Sequence, residues 1–221
     1  MKRKLLIITA FILFISFATG AGFVIAGMFA GTGDLSKGLV GHWKLDDNIT
    51  SGDVADSTPN GNDLTIIGTT EDGPDPVTDR KGQANKAYDF VNTAKKDYLA
   101  KSTNSALRIG TGDITVAMWI NPDNLGGLQP LFWRGGGSDR YYLETSGTNL
   151  RVNIHDGTLP QIEPIQAAGL VNGSWQHVAF SFEYNSATGL KMYKNGALVG
   201  SGTSTTDING TVGGSSAVVY V

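Results

Sequence analysis

The chain has 221 residues, a formal net charge of -3 at neutral pH and no cysteine. This length is typical of one domain with a short appendage, and the lack of a basic patch argues against a nucleic-acid partner. Without cysteine, a disulfide framework, a thiolate metal site and a thiol nucleophile are all excluded. The 30 glycines indicate many turns. Because the chain cannot form disulfides, its fold depends on an apolar core.

The N-terminal segment combines a positive cluster with a long apolar run. Lys2, Arg3 and Lys4 precede a stretch from Leu5 to Gly33 that contains no charged residue. This pattern predicts a hydrophobic helix over residues 1–31, either as a cleaved signal peptide or as a transmembrane signal-anchor. In both cases the remainder lies outside the membrane, so we expect an exported protein that is secreted or anchored at the cell surface. Residues 32–37 form a short linker.

After the linker, short alternating segments are separated by turns rich in Gly, Asn and Asp. The clearest strand runs from Ile114 to Ile120, where Ile114, Val116 and Met118 alternate with smaller or polar residues. Such alternation predicts a strand with one buried face. Further strands are predicted at 39–46, 64–67, 87–91, 97–100, 131–133, 141–143 and 150–154.

The segment from Asn172 to Gly202 predicts three consecutive antiparallel strands. Val178, Phe180 and Phe182 share one face of the first strand, and Asn195-Gly196 separates the second from the third. Asn-Gly is a strong hairpin signal because both residues tolerate the positive φ of a type I′ turn. Beyond the N terminus no segment has a sustained helical period. The sequence therefore predicts an all-β fold, an antiparallel two-sheet jelly-roll sandwich over residues 38–221.

Five motifs in order carry a family resemblance. They are GLVGHWKLDD, ADSTPNGNDLTIIG, KAYDFVNTAKKDYLA, GDITVAMWINP and NGSWQHVAFSFEYNSATGLKMYKNGALVG. In this order and spacing the chain from Gly38 to Val221 resembles the laminin-G-like domains of the concanavalin A-like lectin/glucanase superfamily. The resemblance implies a lectin-like sandwich and, in many relatives, one calcium ion held by loop oxygens.

The C-terminal end departs from the family pattern. Relatives usually close with a Gly-x-Ile-Asp-x-Val-x-Ile-Tyr strand, whereas residues 217–221 resemble the strand before it. The domain is therefore expected to lack its closing strand and to leave an open sheet edge. Two explanations stay open: the sequence is a fragment, or a strand from another subunit fills the slot by self-assembly.

No catalytic constellation is visible. Glucanases of this superfamily carry a Glu-x-Asp-x-x-Glu motif, since retaining hydrolysis needs two carboxyl groups about 5 Å apart. Glu144 and Glu163 have no acidic partner at alternate positions, and Glu183 stands alone. We therefore expect that the protein is not an enzyme.

Calcium is the predicted small partner, because close-set Asp, Asn and loop carbonyl oxygens match its preference for six to eight oxygen ligands. The alternative is that the same residues cap turns. The candidate metal ligands are Asp46, Asp56, Asn60, Asn62 and Asp63.

The candidate ligand-binding residues are Trp133, Arg134 and Tyr141, since an aromatic ring beside a loop can stack on a sugar ring. The other tryptophans and the histidines are expected to pack or hydrogen-bond within strands. The favoured function is a non-catalytic extracellular or cell-surface module that binds a glycan or a surface protein. The alternatives are a structural filament subunit completed by a neighbour's strand and a glycan-active hydrolase.

Overall fold

The computed structural model describes residues 5–9, 38–47, 53–67, 73–91, 97–101, 107–136, 139–158, 161–203, 208, 212 and 218–220. Within these ranges the regular elements are β-strands and there is no α-helix, which confirms the predicted all-β class. The strands, in chain order, are β1 (Leu5–Thr9), β2 (Asp53–Val54), β3 (Leu64–Ile67), β4 (Asp75–Val77), β5 (Ala87–Val91), β6 (Tyr98–Lys101), β7 (Ile114–Pro122), β8 (Leu128–Gly136), β9 (Asp139–Ser146), β10 (Asn149–Asp156), β11 (Ile165–Gln166), β12 (Gln176–Phe182), β13 (Leu190–Lys194), β14 (Ala197–Thr203) and β15 (Val218–Tyr220).

The strands form two antiparallel sheets. One sheet has seven strands in the order β14-β13-β12-β7-β1-β5-β4. The other has eight strands in the order β11-β10-β9-β8-β15-β6-β3-β2. Apolar residues from both sheets belong to one buried cluster, so the two sheets pack face to face as a sandwich.

The alternating residues of β7 and β12 build the centre of this core. Phe180 of β12 lies opposite Val116 of β7, and Val178 lies opposite Met118. All four side chains are fully buried. Each contributes about 1.5–3 kcal/mol relative to an exposed side chain. The predicted buried faces of these two strands are confirmed.

The hairpin between β13 and β14 forms at the predicted Asn-Gly turn. Asn195 has φ 49° and Gly196 has φ 80°, the positive values that a type I′ turn requires. The backbone of Asn195 also donates to the carbonyl of His177 at 2.7 Å, and its side chain accepts from the His177 amide at 2.8 Å. The turn therefore joins the hairpin to β12, as the three-strand prediction requires.

The N-terminal helix predicted from the apolar run is wrong for residues 5–9, which form β1. This strand pairs antiparallel with β5 on one side and β7 on the other. An apolar run rich in β-branched residues suits either a helix or a buried strand, and periodicity alone does not distinguish them. Residues 10–37, which include the rest of the predicted signal peptide or anchor and the linker, lie outside the described ranges. No helix in the described part of the chain is both long and apolar enough to span a membrane.

The last strand, β15, is an interior strand of the eight-stranded sheet. Val219 pairs with Lys101 of β6 and with Arg134 of β8. In the seven-stranded sheet, the interior position between β5 and β7 is occupied by β1. The expected absence of a closing strand and the open edge remain predictions. The strand β1, from the N-terminal segment, was not predicted from the sequence pattern.

Candidate ligand-binding face

The register between β8 and β9 sorts the predicted ligand residues onto two different faces. Trp133 pairs with Tyr142, and Arg134 pairs with Tyr141. Tyr141 is fully buried in the core, where its hydroxyl donates to the carbonyl of Leu107 at 2.6 Å. Arg134 is also fully buried, and this burial lowers the pKa of its guanidinium. Of the three predicted residues, only Trp133 lies on the outer face of the sheet.

The outer face carries a stacked aromatic pair that the sequence did not single out as a pair. The rings of Trp133 and Tyr142 are nearly parallel, with centroids 4.4 Å apart and an interplanar angle of 9°. The guanidinium of Arg151, on the next strand, lies 5.7 Å from the centre of the Tyr142 ring. Trp133 is half-buried, so part of its ring is open to solvent. The stack covers one face of each ring and Tyr142 is only 4% exposed, so the aromatic surface left for a ligand is the exposed part of Trp133.

Beside this pair, Arg151 bridges two carboxylates. Its two terminal nitrogens bond to Glu144 of β9 and to Glu163, which precedes β11. The Tyr142 hydroxyl donates to Glu163 at 2.9 Å, which links the charged group to the aromatic pair. Burial raises the pKa of Glu144, and the charge of Glu163 acts in the same direction, while Arg151 opposes both. Arg151 therefore compensates the negative charges of both Glu144 and Glu163.

Glu144 and Glu163 meet only because of strand pairing. Glu144 lies opposite Arg151 in the β9–β10 register. Residues 161–166 run along the free side of β10, where the amide of Ile154 bonds to the carbonyl of Ile162 at 2.8 Å and the reverse bond measures 2.9 Å. Ile162 is buried in the core, so its neighbours in this extended segment face outward. Sequence spacing alone gave no sign of this contact.

Two amide side chains extend the polar part of the face. The amide nitrogen of Asn153 bonds to the side-chain oxygen of Gln161 at 3.3 Å, and Arg140 bonds to the same oxygen at 3.1 Å. Gln161 in turn donates to Glu163 at 3.1 Å. The side-chain oxygen of Asn153 is buried and has no hydrogen-bond partner in the part of the chain that the structure describes. A buried acceptor without a donor is costly, so this atom is suited to a ligand or water donor.

We define the recognition face as the outer-face side chains of β8, β9, β10 and the segment before β11. It combines an aromatic surface with charged and amide groups, which is the composition of a polar ligand site. Arg151 donates to both carboxylates, so neither is poised alone as acid or nucleophile. The residues that compose it are Trp133, Arg140, Tyr142, Glu144, Arg151, Asn153, Gln161 and Glu163.

Two of the residues predicted to bind calcium, Asp56 and Asp63, accept hydrogen bonds within one loop. Both oxygens of Asp56 accept hydrogen bonds: one from the amides of His42 and Thr58, each at 2.9 Å, and the other from the Thr58 hydroxyl at 2.7 Å and the Asn62 amide at 2.9 Å. Asp63 accepts from the amide of Asp56 at 2.8 Å. Both carboxylate oxygens of Asp56 therefore face donors of the same loop.

The remaining predicted metal ligands also have other contacts. Asn60 and Asn62 donate to the carbonyl of Val40 at 3.0 and 2.6 Å. Asp46 forms an exposed ion pair with Lys86 at 3.5 Å. In the described ranges no group of three or more His, Asp or Glu side chains is placed to hold a metal. This geometry favours turn capping over calcium binding for the predicted set.

We expect that calcium leaves the stability of the chain unchanged, because the loop is closed by its own hydrogen bonds. The measurement is the unfolding temperature of the full chain with millimolar calcium and with a chelator. Asp56→Asn should lower the unfolding temperature equally in both conditions, since it weakens several backbone-directed bonds. A stabilisation by calcium that Asp56→Asn removes would restore the metal site.

A second aromatic cluster lies on the outer face of the seven-stranded sheet. Trp119 contacts His177 edge-on, with ring centres 5.4 Å apart, and the Arg80 guanidinium lies 4.5 Å from the Trp119 ring centre. Burial lowers the pKa of His177, and the charge of Arg80 adds to this effect. The exposed side of Trp119 is thus covered by a cation of the same chain, which distinguishes it from Trp133.

The comparison with family models agrees with the fold. Residues 93–219 match the model Laminin_G_3, described as the concanavalin A-like lectin/glucanases superfamily. This match covers more than half of the 221 residues, so the chain belongs to that family. No curated protein matches the chain in sequence.

Several solved structures share the fold at low sequence identity. Domain 4 of AbnA, a GH43 extracellular arabinanase from Geobacillus stearothermophilus in complex with arabinotriose, is 21% identical with a TM-score of 0.55, over 78% of this chain and 79% of that one. The binding domain of botulinum neurotoxin serotype D is 15% identical, with a TM-score of 0.55, over 76% of this chain and 40% of that one. The binding domain of Paraclostridial Mosquitocidal Protein 1 is 12% identical, with a TM-score of 0.53, over 76% and 41%. This chain thus spans about 40% of the two toxin structures, and these likenesses establish the fold alone.

Proposed function

We propose that this protein is a non-catalytic binding module that recognises a glycan through its recognition face. The observation that carries this proposal is the stacked Trp133–Tyr142 pair beside Arg151 and the buried acceptor of Asn153. An aromatic ring offers its face to the C–H groups of a sugar, while carboxylate, guanidinium and amide groups fix the hydroxyls. The complex of AbnA domain 4 with arabinotriose supports a glycan over a protein ligand.

A location outside the cell is part of this proposal. The basic residues at positions 2–4 and the uncharged run to Gly33 support export, either with cleavage or with retention in the membrane, and in both forms residues 5–9 would leave the β1 position. A surface protein is the alternative ligand, since the toxin structures with the same fold are also binding domains. Calcium is not part of this proposal, because the loop around Asp56 is closed by its own bonds.

The experiment for this function is a glycan array probed with the full chain, followed by titration of the best ligand. Trp133→Ala should reduce affinity at least about tenfold, since truncating a central aromatic anchor costs upwards of ~2 kcal/mol. Trp119→Ala is the matched control, because that ring lies on the other sheet under Arg80. Binding to no glycan on the array, or an equal loss of affinity from both substitutions, would count against the proposal.

The absence of catalysis is tested on the same ligand. We expect no release of reducing ends, because Arg151 holds both carboxylates and neither is left to protonate a leaving group. The assay compares the full chain with Glu144→Gln and Glu163→Gln. Release of reducing ends by the unaltered chain that either substitution abolishes would make the protein a hydrolase.

A further inference from the structure

Apolar side chains continue the recognition face along β8, beyond the charged residues. Leu128 lies opposite Ser146 and Pro130 lies opposite Glu144, and residues directly opposite one another in antiparallel strands share a face. Glu144 belongs to the recognition face, so Leu128 and Pro130 lie on that face as well. Leu128 is 57% exposed, and Pro130 is also exposed. Both side chains are therefore accessible to a ligand.

A β-bulge brings Trp133 into line with these two residues. Because side chains alternate along a strand, a residue three positions after Pro130 lies on the opposite face when the strand is regular. The register shift between Pro130 and Phe132 adds one residue, and Trp133 then pairs with Tyr142 on the outer face. We call Leu128, Pro130 and Trp133 the β8 row. It extends for about 15 Å along the strand, which is longer than a single sugar ring.

The chain carries no side chain immediately before or after the β8 row. Residues 126–127 and residues 135–136 are all glycines. Both glycines before the row are exposed, and so is Gly136 after it. A site for the end of a glycan chain needs a wall that stops the chain. Along β8, in contrast, the described residues leave room for a glycan that continues past both ends of the row.

The charged residues of the recognition face balance one another. Arg140 and Arg151 provide two positive charges, and Glu144 and Glu163 provide two negative charges. Arg151 bonds to both carboxylates, and Arg140 bonds to the side-chain oxygen of Gln161 at 3.1 Å. With no excess of positive charge, the face has no electrostatic preference for a carboxylate or sulfate group on a ligand.

Several hydrogen-bond donors of the recognition face are already used within it. The Tyr142 hydroxyl and the Gln161 side-chain amide donate to Glu163 at 2.9 and 3.1 Å. The side-chain oxygen of Asn153, in contrast, is buried and has no hydrogen-bond partner in the ranges that the structure describes. An acceptor without a donor suits a hydroxyl group or a water molecule and repels an anion. The polar groups therefore favour an uncharged ligand that is rich in hydroxyls.

We infer that the ligand is a linear, uncharged polysaccharide and that an internal stretch of it lies along the β8 row. One sugar ring stacks on the exposed part of Trp133, and the C–H groups of neighbouring units contact Pro130 and Leu128. The hydroxyls on the other side of the chain face the polar side chains of β9 and β10. This inference rests on the proposed function, since it specifies the ligand class of the same face.

The first test compares polysaccharides that share a backbone and differ in charge. The full chain is titrated with hydroxyethyl cellulose and carboxymethyl cellulose, with arabinoxylan and glucuronoxylan, and with neutral and sulfated galactan. Binding should be confined to uncharged members of these pairs and to uncharged glycans on the array. The affinity should change by less than about twofold between about 0.05 and 0.5 M salt, because no charged contact is screened.

Two outcomes of this test separate the inference from the proposed function. Tighter binding to a charged member of a pair, or to charged glycans on the array, would overturn the inference but leave a glycan-binding module. Binding to none of the pairs and to no glycan on the array would overturn the proposed function, and the inference with it.

The second test measures whether the whole β8 row is used. Disaccharides to hexasaccharides are prepared from the uncharged polysaccharide that binds most tightly. Leu128→Ser should weaken binding of the hexasaccharide at least about threefold and leave the disaccharide within about twofold, whereas Trp133→Ala should weaken both. Reduction of the terminal sugar to its alditol should leave the affinity of the hexasaccharide unchanged, because the chain end is not recognised.

Leu198→Ser is the matched control for Leu128→Ser. Leu198 is 51% exposed but lies on β14, in the other sheet, so its substitution should not affect either oligosaccharide. Neither serine substitution should change the unfolding temperature by more than a few °C, because both leucines are exposed. Equal affinity for the disaccharide and the hexasaccharide, or equal effects of the two serine substitutions, would overturn the inference.

Discussion

Replacing Arg151 by leucine should lower the free energy of unfolding by about 3 kcal/mol at neutral pH, because it leaves Glu144 buried beside Glu163 without a compensating charge. The side chain of Glu144 is only 5% exposed, so solvent compensates little of this loss. Urea unfolding of the full chain measures the effect. Lys86→Leu is the matched control, since its pair with Asp46 is well exposed and should contribute less than about 1 kcal/mol.

The effect of Arg151→Leu should also depend on pH. Burial raises the pKa of Glu144 in the folded state, and Arg151 is the group that opposes this rise. A raised pKa means that the stability contribution of this carboxyl is present at acid pH and is lost as pH increases through the folded-state pKa. Without Arg151 that loss becomes larger, so the deficit of the variant should be greatest at pH 7 and should shrink toward pH 4. A deficit that is constant across this range would contradict a charge-based role for Arg151.

Replacing Trp43 by alanine should cost about 3–5 kcal/mol and is the largest packing effect that we expect. Trp43 is fully buried, and its indole nitrogen donates to the carbonyl of Asn62 at 2.7 Å. A Cβ atom on Gly41 would lie 2.5 Å from the nearest atom of this ring, so the ring and the backbone at Gly41 are in close contact. The same urea titration measures the change.

The hydrogen bond of Trp43 can be separated from its packing. Trp43→Phe keeps most of the ring volume but leaves the Asn62 carbonyl without its donor, so it should cost about 1–3 kcal/mol. Leu198→Ala serves as the control for side-chain truncation, because Leu198 is 51% exposed and should change stability by less than about 1 kcal/mol. Residues 39–46 do not form the predicted strand, since Trp43 makes only an isolated bridge with Asp56. If Trp43→Ala cost no more than Leu198→Ala, this segment would not be part of the core.

The strands with one buried face could be predicted from the sequence because alternation is a local property. Val116, Met118, Val178 and Phe180 occupy the core positions that their spacing indicates. The Asn195-Gly196 turn could be predicted as well, since Asn and Gly readily adopt the positive φ that this turn requires. By contrast, the placement of Leu5–Thr9 was not predictable, because an apolar run fits a helix as well as a strand until its partners are known.

The recognition face could be predicted only in part, since strand register determines which side chains meet. The sequence predicts Trp133 and Tyr141 as ligand residues, whereas the residue that stacks on Trp133 is Tyr142. A register shift in β8 between Pro130 and Phe132 precedes these residues, and a shift of one residue exchanges the two faces of a strand. Sequence spacing predicts Glu144 and Glu163 as isolated carboxylates for the same reason, because their contact with Arg151 joins three separate segments of the chain.

The most direct measurement of the central claim is the dissociation constant of the full chain for its best array glycan, determined by calorimetry for the unaltered protein, Trp133→Ala and Trp119→Ala. We expect a loss of at least about tenfold for Trp133→Ala and no change beyond about twofold for Trp119→Ala. If the two substitutions weaken binding equally, or if only Trp119→Ala does, the glycan does not bind at the outer face of β8, β9 and β10.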